Sequence, residues 1–163
     1  MSFLAICATD ATDDTAAAKC SNLLWCAGAY FHGRAAYAAA RSLFERALAI
    51  RERVLGPEHP NTAVSLNNLA GVLRDQGDLA GARPLDERAL AIREKVLGPE
   101  HSNTALSLSS LAVLLRDQGD PAAARPLLER ALAICERALG PEHPHTAGVR
   151  KNLANLTSGD TLE

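Results

Sequence analysis

Apolar positions along this chain fall into helical stripes separated by short polar breaks. Leu66, Leu69, Ala70 and Leu73 lie at i, i+3, i+4 and i+7, which is one face of an amphipathic helix. Arg74-Asp75-Gln76-Gly77-Asp78 then interrupts the pattern. Gly77 suits the left-handed position after a helix end, and Asp78 suits the cap of the next helix. The second helix is predicted from about Leu79 to Val96, with Ala82, Leu85, Ala89, Ile92 and Val96 as its apolar stripe. One copy later Asp120 is followed by Pro121, a residue favoured at the first helical position. Gly56-Pro57 and its counterparts end one hairpin and start the next.

The hairpin repeats. Leu55-Gly56-Pro57-Glu58-His59 recurs at Leu97–His101 and at Leu139–His143, a period of 42 residues, and residues 55–96 agree with 97–138 at 30 of 42 positions. Counting back one period, Ala40–Ile50 matches Ala82–Ile92 and Ala124–Ile134, although the first half of that copy, from about Cys20 to Gly33, has drifted. The last copy stops near Thr157 after one helix. The predicted organisation is a lead over residues 1–15 and a repeat domain over 16–157, followed by a tail over 158–163. Within the domain, hairpins are expected at about 16–55, 58–97 and 100–139, with a closing helix at about 143–157. The lead, rich in Ala, Thr and Asp, reads as a frayed helix or a disordered segment.

Composition agrees with an all-α chain. Apolar residues make up 47% but aromatics only 4%, and there are no runs of β-branched and aromatic residues that strands would need. The 17 basic and 19 acidic residues give a net charge of −2, which argues against a nucleic-acid binder, and no polybasic membrane-binding segment is present. Cys7, Cys20, Cys26 and Cys135 form no CxxC pair and read as reduced thiols of a cytosolic protein. Met1–Cys7 is briefly apolar, but it lacks a basic flank and is too short for a signal peptide. No apolar run approaches the roughly 20 residues of a membrane-spanning helix. The expected location is the cytoplasm.

The arrangement Leu66, Leu69-Ala70, Leu73, Ala82, Ala89 resembles the tetratricopeptide repeat. The 42-residue form, with Leu-Asn-Asn-Leu-Ala, Arg-Asp-Gln-Gly and Arg-Ala-Leu-Ala-Ile-Arg-Glu, is most similar to kinesin light chain. It is equally similar to the repeats that follow nucleotide-binding NB-ARC domains in bacterial and fungal signalling proteins. The resemblance covers about residues 18–157. It implies a right-handed α-α superhelix that binds a protein or peptide in a concave groove lined by the first helix of each hairpin, with no cofactor. One position departs from it: Asp86 stands where Phe44 and Leu128 stand in the neighbouring copies. A buried carboxylate without a partner is costly, so Asp86 is expected at the surface or paired with a nearby Arg such as Arg83.

The two near-identical copies separate packing from binding. Leu66, Leu69, Ala70 and Leu73 persist as Leu108, Leu111, Ala112 and Leu115, whereas Val64, Asn67, Asn68, Gly71 and Val72 become Leu106, Ser109, Ser110, Val113 and Leu114. Positions 64, 67, 68 and 71 share a second helix face, which the resemblance places in the groove. Polar side chains there can bond the backbone of an extended peptide, and small ones leave room for its side chains. The equivalent residues are Asn22, Trp25, Cys26 and Ala29 in the first copy and Gly148, Lys151, Asn152 and Asn155 in the closing helix. Asn67 and Asn68 resemble the groove Asn residues of kinesin light chain, and Ser109 and Ser110 depart from them. Trp25 reads as core packing of a degenerate terminal repeat ahead of a groove anchor. Drift on a solvated face is the competing account of all this variation.

Arg74 and Arg116 either add positive charge to one groove edge or serve as cations at helix C-termini. Lys151 alone is a groove Lys, which argues against a clamp for peptide carboxylates. His59, His101 and His143 repeat with the period, one per connector, without the spacing of a zinc helix, and read as structural residues near helix starts even with His145 beside the last. No nucleotide-binding, nucleophile-elbow or metalloprotease motif is present, so no enzymatic activity and no metal is expected. The alternative to peptide binding is a self-association module stacking through open repeat ends, with a monomer or weak self-association as the expected state.

Overall fold

A computed structural model describes residues 14–159. They form seven helices and, among the described residues, no strand: α1 Asp14–Gly33, α2 Tyr37–Leu55, α3 Pro60–Asp75, α4 Leu79–Leu97, α5 Ser102–Asp117, α6 Pro121–Leu139 and α7 Pro144–Gly159. The lead expected before Asp14 and the tail after Gly159 lie outside the described residues. Asp14 and Thr15 already belong to α1.

The two kinds of break in the apolar pattern are two kinds of helix terminator. Inside hairpins two and three, Gly77 and Gly119 adopt φ of +83° and +85°. The amide of Asp78 then bonds the carbonyl of Leu73 at 2.8 Å and that of Gly77 bonds Arg74 at 2.9 Å, the paired closure that follows a left-handed glycine. Asp78 and Asp120 cap the next helix by accepting from the amides of Gly81 and Ala123, both at 2.9 Å. The degenerate first hairpin turns through Ala35 at φ +57° and caps α2 with Ala36, which offers no side-chain acceptor.

Between hairpins a glycine again ends the helix, and the turn is held by side chains. His59, His101 and His143 precede α3, α5 and α7, and the Nδ1 of each accepts from the amide two residues on, at 3.1, 3.0 and 3.2 Å. The hydroxyls of Thr62, Thr104 and Thr146, all fully buried, donate back to the carbonyls of Gly56, Gly98 and Gly140 at 2.8–2.9 Å. The histidines are therefore helix caps, as their position before a helix start suggested.

Helices pack as antiparallel neighbours along the chain, and the apolar stripes meet between them. Ala40, Ala47, Ala82, Ala89, Ala124 and Ala131 are completely buried, which brings each second helix close to its first. Leu66, Leu108, Leu114, Leu128 and Ile134 fill the space between, each contributing about 1.5–3 kcal/mol by leaving water. Phe44, the bulkiest side chain at its repeat position, fits because Gly28 faces it: a Cβ there would stand 2.9 Å from the ring.

Successive first helices also touch one another directly, α3 with α5 and α5 with α7, whereas no two second helices make more than marginal contact. The stack therefore curves with the first helices on the inside. Among the described residues no second helix follows α7. Its side that would meet one carries Arg150, which reaches back to Glu136 of α6 at 3.0 Å in place of a core Leu.

Candidate peptide-binding groove

The inner face is built from the second stripe of each first helix. Val64, Asn67, Asn68 and Gly71 of α3 and Leu106, Ser109, Ser110 and Val113 of α5 are all half-buried, the state of residues on the floor of an open trough. Gly71 leaves real space: a Cβ added there meets nothing within 4 Å. Towards the ends the face opens. Asn22, Cys26 and Ala29 on α1 and Gly148, Lys151 and Asn155 on α7 are exposed, while Asn152 is half-buried and its amide lies 3.4 Å from Ser109 Oγ. Trp25 packs against the main core, as expected, but its buried indole N–H has no acceptor. The Asn68 side-chain nitrogen is likewise buried without a partner. A buried donor left unbonded costs about 1–3 kcal/mol, and both donors lie beneath the face rather than on it.

Asp86 corrects the sequence reading. It is only 4% exposed and does not pair with Arg83, which bonds Glu87 instead. Its Oδ1 accepts from Asn67 Nδ2 at 2.6 Å. Asn67 Oδ1 accepts in turn from Ser107 Oγ at 2.9 Å, and Ser107 Oγ accepts from Arg93 Nη1 at 2.9 Å. Four side chains from α3, α4 and α5 thus form one chain of hydrogen bonds through the joint between hairpins two and three. Burial pushes the Asp86 carboxyl up to about 6, against the Asn67 hydrogen bond and the attraction of Arg74 and Arg93. Burial also lowers the Arg93 pKa, and Asp86 opposes that.

Asn67 consequently has two duties. It lies on the groove floor and its amide is spent on the joint behind it. Part of the variation ascribed to the groove is therefore packing. Trp25 with Phe44, Asn67 with Asp86 and Ser109 with Leu128 are three matched pairs at the same two repeat positions. A second matched pair lies beside it. Arg51 donates to Ser65 Oγ at 2.7 Å and to Asn22 Oδ1 at 3.0 Å, Arg93 donates to Ser107, and the third copy holds Cys135 and Val149, both buried.

The groove edge is also not the positive strip that Arg74 and Arg116 suggested. Asp75 and Asp117, the next residue in each case, sit between them. His32 Nε2 lies 2.6 Å from Asp75, Arg74 lies 3.4 Å from Asp75 and 3.8 Å from Asp117, and Arg116 bonds Asp117 at 2.7 Å. The result is a ladder of alternating charge along the inner rim. Among the described residues no group of three or more His, Cys, Asp or Glu is placed to hold a metal ion. His143 and His145 stack at 5.2 Å, and His143 Nδ1 is occupied by the His145 amide.

Three helical hairpins in a curved stack, closed by a single polar-faced helix, define a right-handed α-α superhelix. The chain belongs to the tetratricopeptide repeat family, whose model matches residues 20–95, 62–137 and 108–161. It is similar to the solved structure of nearly identical TPR-like repeats from a P. anserina protein assigned as a kinesin light chain, with a TM-score of 0.77 and 27% identity over 85% of this chain and 66% of that one. It is also similar in fold to BtubC (BKLC) from P. vanneervenii, with a TM-score of 0.79 and 21% identity over 93% of this chain and 59% of that one. The N-terminal domain of stress-induced protein-1 from C. elegans follows at a TM-score of 0.59 and 15% identity, over 86% of this chain and 97% of that domain. The chain thus spans about two thirds or less of the first two of these structures. A search of curated protein sequences finds no match. Among the described residues no helix is long and apolar enough to cross a membrane.

Proposed function

We propose that this chain binds an extended peptide or protein segment along its inner face and catalyses no reaction. The observation that carries the reading is the row of half-buried positions on α3 and α5, with open space at Gly71. A peptide backbone supplies carbonyl acceptors at regular intervals, and the small residues leave room for its side chains. The residues assigned to contact the ligand are Asn22, Trp25, Val64, Asn67, Asn68, Gly71, Leu106, Ser109, Ser110, Val113, Lys151, Asn152 and Asn155. Arg74 and Arg116 would act together with Asp75 and Asp117 as a mixed-charge rim. The 42-residue repeat supports a narrower version, in which the module serves as the sensor portion of an NB-ARC-type signalling protein in the cytoplasm.

The test is selection of a displayed random-peptide library on the immobilised chain, with the Gly71→Phe variant as control. Enriched peptides that bind the natural chain and lose at least tenfold affinity for Gly71→Phe support the groove. Peptides that bind both equally, or no enrichment at all, overturn it. Sedimentation of the free chain addresses the alternative of self-association: a species that grows with concentration would favour stacking through the ends.

A further inference from the structure

The chain of hydrogen bonds through the joint between hairpins two and three has a fixed direction. Arg93 at one end is donor-only, and an ionised carboxylate at the other is acceptor-only. Between them Ser107 Oγ accepts from Arg93 Nη1 and donates to Asn67 Oδ1, both at 2.9 Å, and Asn67 Nδ2 donates to Asp86 Oδ1 at 2.6 Å. The two ends leave the Asn67 amide one orientation, with its nitrogen towards Asp86 of α4 and its oxygen towards Ser107 of α5.

Packing does not require this extension. At the preceding joint Arg51 bonds Ser65 at 2.7 Å in the same way, beside Trp25 and Phe44, with no amide or carboxylate at those two positions. The following copy fills them with Ser109 and Leu128, and Leu128 is buried. Asn67 and Asp86 thus add a polar pair to one joint, the one behind the middle of the groove.

A proton on Asp86 removes the acceptor-only end. The new hydroxyl hydrogen needs an acceptor within a closed joint, and Asn67 is the side chain that Asp86 bonds. The acceptor of Asn67, Oδ1, is turned to Ser107. Turning the amide over meets the demand. Oδ1 then accepts from the Asp86 hydroxyl, and Nδ2 donates to Ser107 Oγ. The Ser107 hydrogen swings to the carbonyl of Asn103, one turn earlier in α5. Arg93 Nη1 keeps both of its acceptors, Ser107 Oγ and that same carbonyl, each at 2.9 Å. Each link is bonded in both states, so the chain has two complete arrangements of opposite direction.

The surroundings bring the exchange near neutrality. α4 packs on α3 and α5. The charged groups acting on Asp86 are Arg74 of α3 and Arg93 of α4 itself, and burial outweighs both, together with the Asn67 hydrogen bond, to hold the carboxyl at about 6. From α5 the network meets it with the uncharged Ser107. Asn67 is also half-buried on the groove floor. Its amide carries one hydrogen and one lone pair that the joint does not use, and reversal exchanges their places. A ligand amide matched to one arrangement faces donor with donor and acceptor with acceptor in the other.

We infer that Asp86 is a positioning residue for the groove, whose gain of a proton turns over the Asn67 amide and with it the hydrogen-bonding pattern offered to a ligand. The ligand's part in this rests on the groove reading above, and the reversal itself does not. The test of the reversal is the set of nuclear Overhauser contacts made by the Asn67 side-chain amide hydrogens in the natural, ligand-free chain at pH 7.5 and pH 4.5. Contacts to the Asp86 β-hydrogens at the higher pH should give way to contacts to the Ser107 β-hydrogens at the lower, and Asp86→Asn should show no change between the two. Identical contacts at both pH values, or a reversal that persists in Asp86→Asn, overturn the inference. The ligand's part is tested with a peptide selected from the displayed library at pH 7.5, free of Asp, Glu and His, whose affinity falls in the variant carrying Asn67→Ser and Asp86→Leu. It should bind the natural chain about tenfold more weakly at pH 4.5 and the double variant equally at both pH values. Equal binding to the natural chain at both overturns the coupling to the groove. If the library yields no peptide, the groove reading fails, while the amide contacts still decide the reversal.

Discussion

Asp86 concentrates the chemistry of the stack in one side chain. A carboxyl held at about 6 inside the fold and near 3.8 outside it binds its proton more tightly in the folded state. Its contribution to stability is fully present below about pH 4 and is lost as the pH rises to about 6. The size is about 3 kcal/mol at 1.36 kcal/mol per pKa unit. Replacing the pair Asn67/Asp86 by Ser and Leu, the residues of the next copy, removes the titration and fills the joint with apolar volume. Urea melts from pH 4 to pH 7.5 should show the double variant gaining on the natural chain by up to about 3 kcal/mol between pH 4 and 6.5, with no further gain above pH 7. A difference that does not change with pH would show that Asp86 does not titrate in the joint. Gly71 offers a simpler measurement. Changing it to Ala should raise stability by about 0.5–1 kcal/mol, since the residue is mid-helix and its Cβ meets open space. A loss of stability would mean that the floor of the groove is closed at that point.

At the scale of helices, the joints are matched pairs rather than interchangeable contacts. Arg51→Cys alone leaves Ser65 and Asn22 without their donor, and Ser65→Val alone removes an acceptor from a buried guanidinium. Each should cost about 1–3 kcal/mol. Together they reproduce the third joint, and the double variant should be less destabilised than the sum of the singles by about 1 kcal/mol or more, as read from a double-mutant cycle. Strict additivity would show that Arg51 and Ser65 do not act as a pair. The helices themselves were legible because period, stripe, Gly77 and Asp78 all agree at one place. Asp86 was not, because its partner Asn67 lies 19 residues away on a face that the family resemblance assigns wholly to the groove. The signal that could have found it was joint change across copies: positions 67 and 86 vary together, as do 93 and 107 with 135 and 149. The buried threonines of the connectors went unremarked for a different reason. They never vary between the three later copies, and a polar residue in a connector does not belong to an apolar stripe that would mark it as buried.

For the molecule as a whole, the inner face is the surface whose shape the fold does not use up. The outer side is tied by pairs such as Glu52–Arg88 and Glu94–Arg130, each at 2.7 Å, and by Glu58–Lys95 across a connector. Exposed pairs of this kind contribute little individually, so the curvature rests mainly on the direct packing of first helix on first helix. Groove residues can therefore be exchanged with small effect on folding, except Asn22, Asn67 and Trp25, whose side chains are built into the joints or the core.

The pairing of Arg with Ser and of Cys with Val across joints also sets rules for lengthening or shortening the array. Inserting a second copy of residues 56–97 directly after itself places Arg93 against a new Ser65, so the longer chain should fold. Excising residues 98–139 keeps the period and the connector sequence intact, yet seats α7 behind α4 and leaves Arg93 buried against Val149. That shortened chain should be markedly less stable to urea than one in which Val149 is also changed to Ser. If the two melt alike, hairpin order is free; if not, the order of modules is written in the residues that face each other across each seam.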